Sequence, residues 1–240
     1  RKLVTAARFN PSLPYLSFLC INFDAPVIKE AASWFLDGVF LNYNSSYLEQ
    51  MLEQLLDEDD SPEITRFLRA VDVRIDGFRV EKAPEWRGQR VFVKHEVDGK
   101  GYELRLSEES AGTQKLMGLA AFLLAALERG GTVVVDELDA KLHPKLLRYV
   151  ILLFKDPEVN KSGAQLIFSS QDVSTMRNDV FRRDEIWFAA RGEGEASQLW
   201  SLADIHESNG NLVSKNAAFD KQYLSGRYGA DPYLTRIEEW

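Results

Sequence analysis

Cysteine is almost absent from this chain. Its single copy, Cys20, lies inside an apolar run, so no internal disulfide can form, and a lone thiol there serves as a small hydrophobe. A fold held without staples in a reducing cytoplasm is the expectation. Long apolar runs are missing as well. None approaches the ~18 residues of a membrane-crossing helix, and no signal-peptide pattern opens the chain, so no membrane partner is expected. His95, His143 and His206 are the only histidines, and they show no metal-ligand spacing with one another or with Cys20. No Gly-x-Ser-x-Gly elbow marks a serine nucleophile. There is no internal repeat and no low-complexity tract. A basic surplus is lacking too: the net charge is −8, which does not suit a general nucleic-acid or anionic-membrane binder. Arg66, Arg69, Arg74, Arg79, Lys82, Arg87 and Arg90 do cluster, but Glu63, Asp72, Asp76, Glu81 and Glu85 interleave with them. That pattern reads first as a solvated charged face, with DNA binding as the lesser alternative.

What is present supports a sizeable core. Apolar residues make up 45% of 240, enough for one large domain or a domain with a small subdomain. Tyr15 to Phe23, flanked by prolines, reads as a strand. Val27 to Phe40 and Tyr47 to Leu56 read as helices, with Asp57 to Asp60 as a loop. Ser61-Pro62-Glu63 then supplies a cap, a first-turn proline and an early acid for a helix carrying Ile64, Phe67, Leu68 and Val71. Val73 to Val80 reads as a short extended segment. Val91 to Val97 and Tyr102 to Leu106 form a hairpin about Asp98-Gly-Lys-Gly101.

The pattern changes after residue 105. Gly112 to Arg129 is strongly helical and stops at Gly130-Gly131. Thr132 to Val135 is a continuously apolar strand of the kind found inside parallel sheets. Pro144 to Phe154 is helical, Ala164 to Phe168 is a second buried strand and Glu185 to Ala189 a third. Ser197 to Ser201 is expected to pair after the Gly192/Gly194 turn. Strand–helix–strand alternation implies an α/β fold with a parallel sheet core and helices, preceded by a helical and antiparallel-strand insertion.

Four short features carry chemistry. The strand Thr132 to Val135 ends in Asp136-Glu137. At the C-terminal edge of a parallel sheet, the first acid can hold Mg²⁺ and the second can orient and deprotonate a water. Leu138-Asp139-Ala-Lys-Leu-His143-Pro144 follows; read alone, Asp139 and His143 are helix-start residues. Upstream, Ser110-Ala111-Gly112-Thr113 opens the long helix. The unpaired amides and dipole at that end form an anion site, and a glycine lets a phosphate approach the backbone. A simple N-cap explains Ser110 but not the small pair Ala111-Gly112. Finally, the strand at Leu166 to Phe168 ends in Ser169-Ser170-Gln171.

In this order and spacing the features resemble the ABC-class, AAA-type ATP-binding proteins of bacterial phage-defence and abortive-infection systems. These are relatives of the overcoming-lysogenization-defect ATPases and of SMC-like repair ATPases. Glu109-Ser-Ala-Gly-Thr113, Asp136-Glu137 with Asp139 and His143-Pro144, and the tail from Phe219 to Ala230 carry the likeness. For the tail, packing of Phe219, Tyr223, Leu224 and Tyr228 is the preferred reading.

The resemblance implies a homodimer with ATP sandwiched between protomers. Ser110, Ala111, Gly112 and Thr113 would act on the partner's nucleotide as the signature sequence. Asp136 would hold Mg²⁺ as the Walker B acid, Glu137 would be the general base, and Asp139 would belong to the D-loop. Gln171 stands where such enzymes usually carry a switch histidine; it can donate a hydrogen bond but cannot carry a proton charge. The resemblance further implies a protein effector, such as a TOPRIM-type nuclease, gated by ATP state.

The implied domain plan is a helical and antiparallel subdomain over 1–105, an ABC-type core over 106–205 and an extension over 206–240. No Gly-x-x-x-x-Gly-Lys-Ser/Thr phosphate loop occurs anywhere in the 240 residues. Together with the start at Arg1, this leads to the expectation of the C-terminal part of a longer ATPase, inactive by itself. A degenerate homologue serving as a non-catalytic interaction or scaffold module is the alternative.

Overall fold

A computed structural model describes residues 14–42, 62–71, 73–83, 88–191, 196–207 and 210–230. The chain divides into two compact units. The first comprises Arg1–Lys141 with Tyr149–Ser169, and the second Leu142–Arg148 with Ser170–Trp240.

The first unit holds a three-stranded parallel sheet. Its strands are β1 (Val39–Asn42), β5 (Thr132–Val135) and β6 (Gln165–Phe168), with β5 in the centre. Central placement explains the unbroken Thr-Val-Val-Val sequence: Val133 and Val135 are buried, as is Thr132. The register aligns Val135 with Asn42 on one side and Phe168 on the other, so the residues that follow β5 and β6 leave the sheet side by side.

Helix α4 (Ala111–Arg129) buries Leu116, Leu119, Phe122 and Leu123, and Phe40 of β1 meets Phe122 edge to face at 5.9 Å. Helix α3 (Pro62–Ala70) buries Ile64, Phe67 and Leu68. A second, antiparallel sheet consists of β2 (Gly77–Ala83), β3 (Gly88–Val97) and β4 (Lys100–Arg105). Asp98 and Gly99, both at positive φ, close the β3–β4 hairpin in the turn that an Asp-Gly pair favours. Phe78, Val91 and Val93 form its buried face.

Helix α5 (Pro144–Lys155) passes from the second unit into the first. The second unit is built on the hairpin of β7 (Trp187–Arg191) and β8 (Ser197–Ser201) and the short helix α6 (Phe219–Leu224). Its core joins Ile186, Phe188, Leu202, Val213, Phe219 and Tyr228.

Three expectations are corrected. Tyr15 to Phe23 is not a strand but helix α1 (Tyr15–Asn22), begun at Pro14, whose carbonyl accepts from the Phe18 amide at 3.1 Å. A short apolar run has no period of its own; here Tyr15 and Phe18 stack one turn apart at 6.2 Å, and Asn22 caps back onto the Phe18 carbonyl. The next helix, α2 (Pro26–Gly38), stops before Phe40, which lies in β1. That segment, and not the one near residue 187, provides the third parallel strand. β7 is antiparallel to β8, and its alternating burial is that of a half-covered hairpin. The helix expected at Tyr47 to Leu56, the loop after it and the cap at Ser61 lie outside the described residues.

Candidate functional site

Two strand ends meet where β5 and β6 finish. The amide of Ser169 donates to the Val135 carbonyl at 3.1 Å, and the Ser169 carbonyl accepts from the Leu138 amide at 3.0 Å. The Ser169 hydroxyl completes the brace. It donates to Asp136 Oδ1 at 2.5 Å and accepts from the Glu137 amide at 2.8 Å. One serine therefore fixes the carboxylate of the first acid and the backbone of the second. Both acids are exposed, while Leu138 beneath them is fully buried and anchors the turn.

Glu137 has φ +50°, in the left-handed region that non-glycine residues enter rarely. This conformation turns the chain sharply at the sheet edge. Its carbonyl accepts from the Ala140 amide at 3.0 Å and from Lys115 Nζ at 2.6 Å. Lys115 belongs to α4, so the turn is tied to the helix. Burial lowers the Lys115 pKa, with repulsion from Lys141 adding to it and Asp139 and Glu137 opposing it.

The start of α4 is built as its sequence indicates. Ser110 is the N-cap: its hydroxyl accepts from the Thr113 amide at 3.1 Å and lies 2.8 Å from the Thr113 hydroxyl. Gln114 ties the preceding loop down by donating to the Glu109 carbonyl at 2.7 Å. Glu109 is also held from the antiparallel sheet by His95 Nε2 at 2.6 Å, while His95 Nδ1 meets the Arg74 carbonyl at 3.0 Å. Gly112 faces the Lys141 carbonyl so closely that a Cβ would lie 2.9 Å from that oxygen.

Ser110, Ala111, Gly112, Thr113, Asp136, Glu137 and Asp139 thus all fall in the first unit, and direct contacts join the helix start to the acid turn. Gln171 falls in the second unit and is exposed. Beside it, Asp172 caps a short helical turn by accepting from the Ser174 amide at 2.6 Å. His143 behaves as a helix-start residue, its Nδ1 accepting from the Lys145 amide at 3.1 Å.

Two residues with parts in this geometry carry no role in the sequence reading: Lys115, and Ser169, which stands there only as a hydroxyl ending its strand. Ser169 had a signal: it follows β6 as Asp136 follows β5, and in-register parallel strands bring such residues together. Lys115 had none, because only the folded turn shows where its ammonium goes. Among the described residues no group of three or more His, Cys, Asp or Glu side chains could hold a metal by itself. The donor set at the acid turn is hard oxygen: one exposed carboxylate beside a hydroxyl. It fits Mg²⁺, which takes one or two carboxylates and completes its shell with water and phosphate.

No curated protein matches this sequence. Among solved structures, one described as "Structural biochemistry of ATP-driven dimerization and DNA stimulated activation of SMC ATPases" is similar at 16% identity and a TM-score of 0.39, covering 66% of this chain and 89% of that one. Another, "Crystal structure of the SmcHead bound to the C-winged helix domain of ScpA", is similar at 17% identity and a TM-score of 0.38, covering 58% of this chain and 42% of that one. Residues 19–177, which include the helix start, both acids and the end of β6, match the family described as "AAA domain, putative AbiEii toxin, Type IV TA system", and the chain belongs to this family of AAA-type ATPase domains.

Proposed function

We propose that this chain is the signature and Walker B half of an ABC-type ATPase head. The supporting observation is the Ser169 brace, which holds the Asp136 carboxylate and the Glu137 backbone at the C-terminal edge of a parallel sheet. In this reading Asp136 holds Mg²⁺, which when bound neutralises charge on the phosphates. Glu137 orients the attacking water and accepts its proton on the side-chain carboxylate. The left-handed turn fixes the start of that side chain, as positioning of a base requires.

Ser110, Ala111, Gly112 and Thr113 offer amides and hydroxyls to the γ-phosphate of a nucleotide held by a partner protomer, with Asp139 nearby in the D-loop role. Gln171 donates a hydrogen bond where a switch histidine would titrate. ATP would then close a homodimer, and hydrolysis would open it. This cycle would control an effector in anti-phage defence, such as a TOPRIM-type nuclease.

Replacement of Glu137 tests the reading. Glu137→Gln in the intact protein is expected to lower kcat for ATP at least a hundredfold, the scale of a lost general base, while ATP-driven dimerisation persists. Turnover at the parent rate would remove Glu137 from the role. The second reading, a non-catalytic scaffold, rests on the lack of a Gly-x-x-x-x-Gly-Lys-Ser/Thr loop in these residues. It is favoured if the intact protein binds no MgATP by calorimetry.

A further inference from the structure

The acid turn is held from a helix as well as from the neighbouring strand, and the helix contact is made by a charged side chain at a cost. Left-handed backbone at a non-glycine residue costs about 1 kcal/mol and persists only where the surroundings over-determine it. At Glu137 the surroundings are the Ser169 hydroxyl on its amide, and the Ala140 amide and Lys115 ammonium on its carbonyl. Among these contacts, only that of Lys115 comes from α4.

Its ammonium is partly withdrawn from water, the largest effect on it; Asp139 and Glu137 attract it and Lys141 repels it. An apolar side chain of similar length would fill the same path without that desolvation. What such a side chain could not do is donate 2.6 Å to the Glu137 carbonyl. Gly112, one turn earlier on the same helix, has no Cβ where one would press on the Lys141 carbonyl at 2.9 Å. The first turns of α4 therefore meet the turn at both ends, at Glu137 and at Lys141.

We propose that Lys115 is the positioning residue for Glu137, fixing the carbonyl of the acid turn from α4 so that the helix start and the acid move as one piece. This rests on the reading of Glu137 as the base. In that reading the helix start serves the partner's nucleotide and Glu137 its own, so Lys115 links two nucleotide positions within one protomer.

The test uses the intact protein without nucleotide. Residue-resolved amide exchange is measured for the parent, Lys115→Met and Lys115→Arg. In Lys115→Met the Ala140 amide, whose acceptor is the Glu137 carbonyl, is expected to exchange about tenfold faster, while amides deep in α4 keep their protection. Lys115→Arg, which can still donate to the carbonyl, is expected to restore the rate to within about threefold. If Lys115→Met does not fold, as judged by circular dichroism, Lys115→Ala, which likewise cannot donate, replaces it with the same expectation. Unchanged Ala140 exchange on loss of the ammonium overturns the proposal, and so does failure of Lys115→Arg to restore it. Neither result depends on nucleotide chemistry. Lost turnover in Glu137→Gln with unchanged exchange in Lys115→Met would therefore sink the tie and leave the base standing.

Discussion

Gly112 shows how one residue can satisfy two demands. Its sequence context suggests a backbone opened for phosphate, whereas the folded chain gives it a neighbour of its own in the Lys141 carbonyl. A Cβ at 2.9 Å from a backbone oxygen forces the helix start or the loop to shift. Gly112→Ala is therefore expected to lower stability by about 1–3 kcal/mol in nucleotide-free protein, read as a shift of the urea midpoint at constant slope. An unmoved midpoint would mean that the loop yields freely, leaving phosphate approach as the sole reason for the glycine. At this scale legibility followed locality. The Ser110 cap lies within four residues of sequence and was readable. Lys115 and Glu137 are 22 residues apart and Asp136 and Ser169 are 33 apart, so their contacts exist only after the strands and helix have packed.

Helix boundaries followed local chemistry where a stop was built in, and departed from it where a segment had none. Helix α4 ends at Gly130, with φ +77° and its amide on the Ala126 carbonyl at 2.8 Å. The site is also tight, since a Cβ there would lie 2.4 Å from the Ser162 carbonyl oxygen. Gly99 in the β3–β4 turn has a similar φ of +70° with nothing within 4 Å. The pair separates backbone strain from collision. Gly99→Ala is expected to cost about 1 kcal/mol, the left-handed penalty alone. Gly130→Ala is expected to cost roughly 2–4 kcal/mol, because overpacking adds to that strain. Equal thermal shifts for the two variants would show that the Ser162 loop gives way. Without such punctuation, the sequence misleads. Tyr15 to Phe23 has prolines on both sides but no period that separates helix from strand, and the segment is helical from the Phe18 amide, which donates to the Pro14 carbonyl. β1 was hidden because four residues at the end of a helical pattern carry no separate signal; its strand character comes from pairing with β5.

Across the whole molecule, the two units differ in how their cores are satisfied. The first buries Val133 and Val135 and carries the Phe40–Phe122 pair at the parallel sheet, whereas the second buries a phenol beside Phe188 and Phe219. Tyr228 is 5% exposed; its hydroxyl donates to Gln222 Oε1 at 2.7 Å, its carbonyl accepts from the Trp200 indole at 3.2 Å, and its ring lies 5.2 Å from that of Phe188. This is the packing that the tail from Phe219 was expected to supply, although Leu224 stays exposed. Burial pushes the Tyr228 pKa up to about 12, with Arg227 pulling the other way. A pKa higher in the folded than in the unfolded state means that the unfolded chain releases its proton first. The neutral phenol's contribution is thus present in full below about pH 10 and is lost as pH rises towards 12. Other tyrosines and the lysines ionise over the same range, so the signal lies in a difference. The urea midpoint of the parent minus that of Tyr228→Phe is expected to be constant from pH 7 to about 9.5 and to shrink as pH rises above 10. Tryptophan fluorescence suits the measurement because Trp200 packs against the same core. A difference that does not change with pH would place the phenol in water and show that the second unit's core is open at that residue.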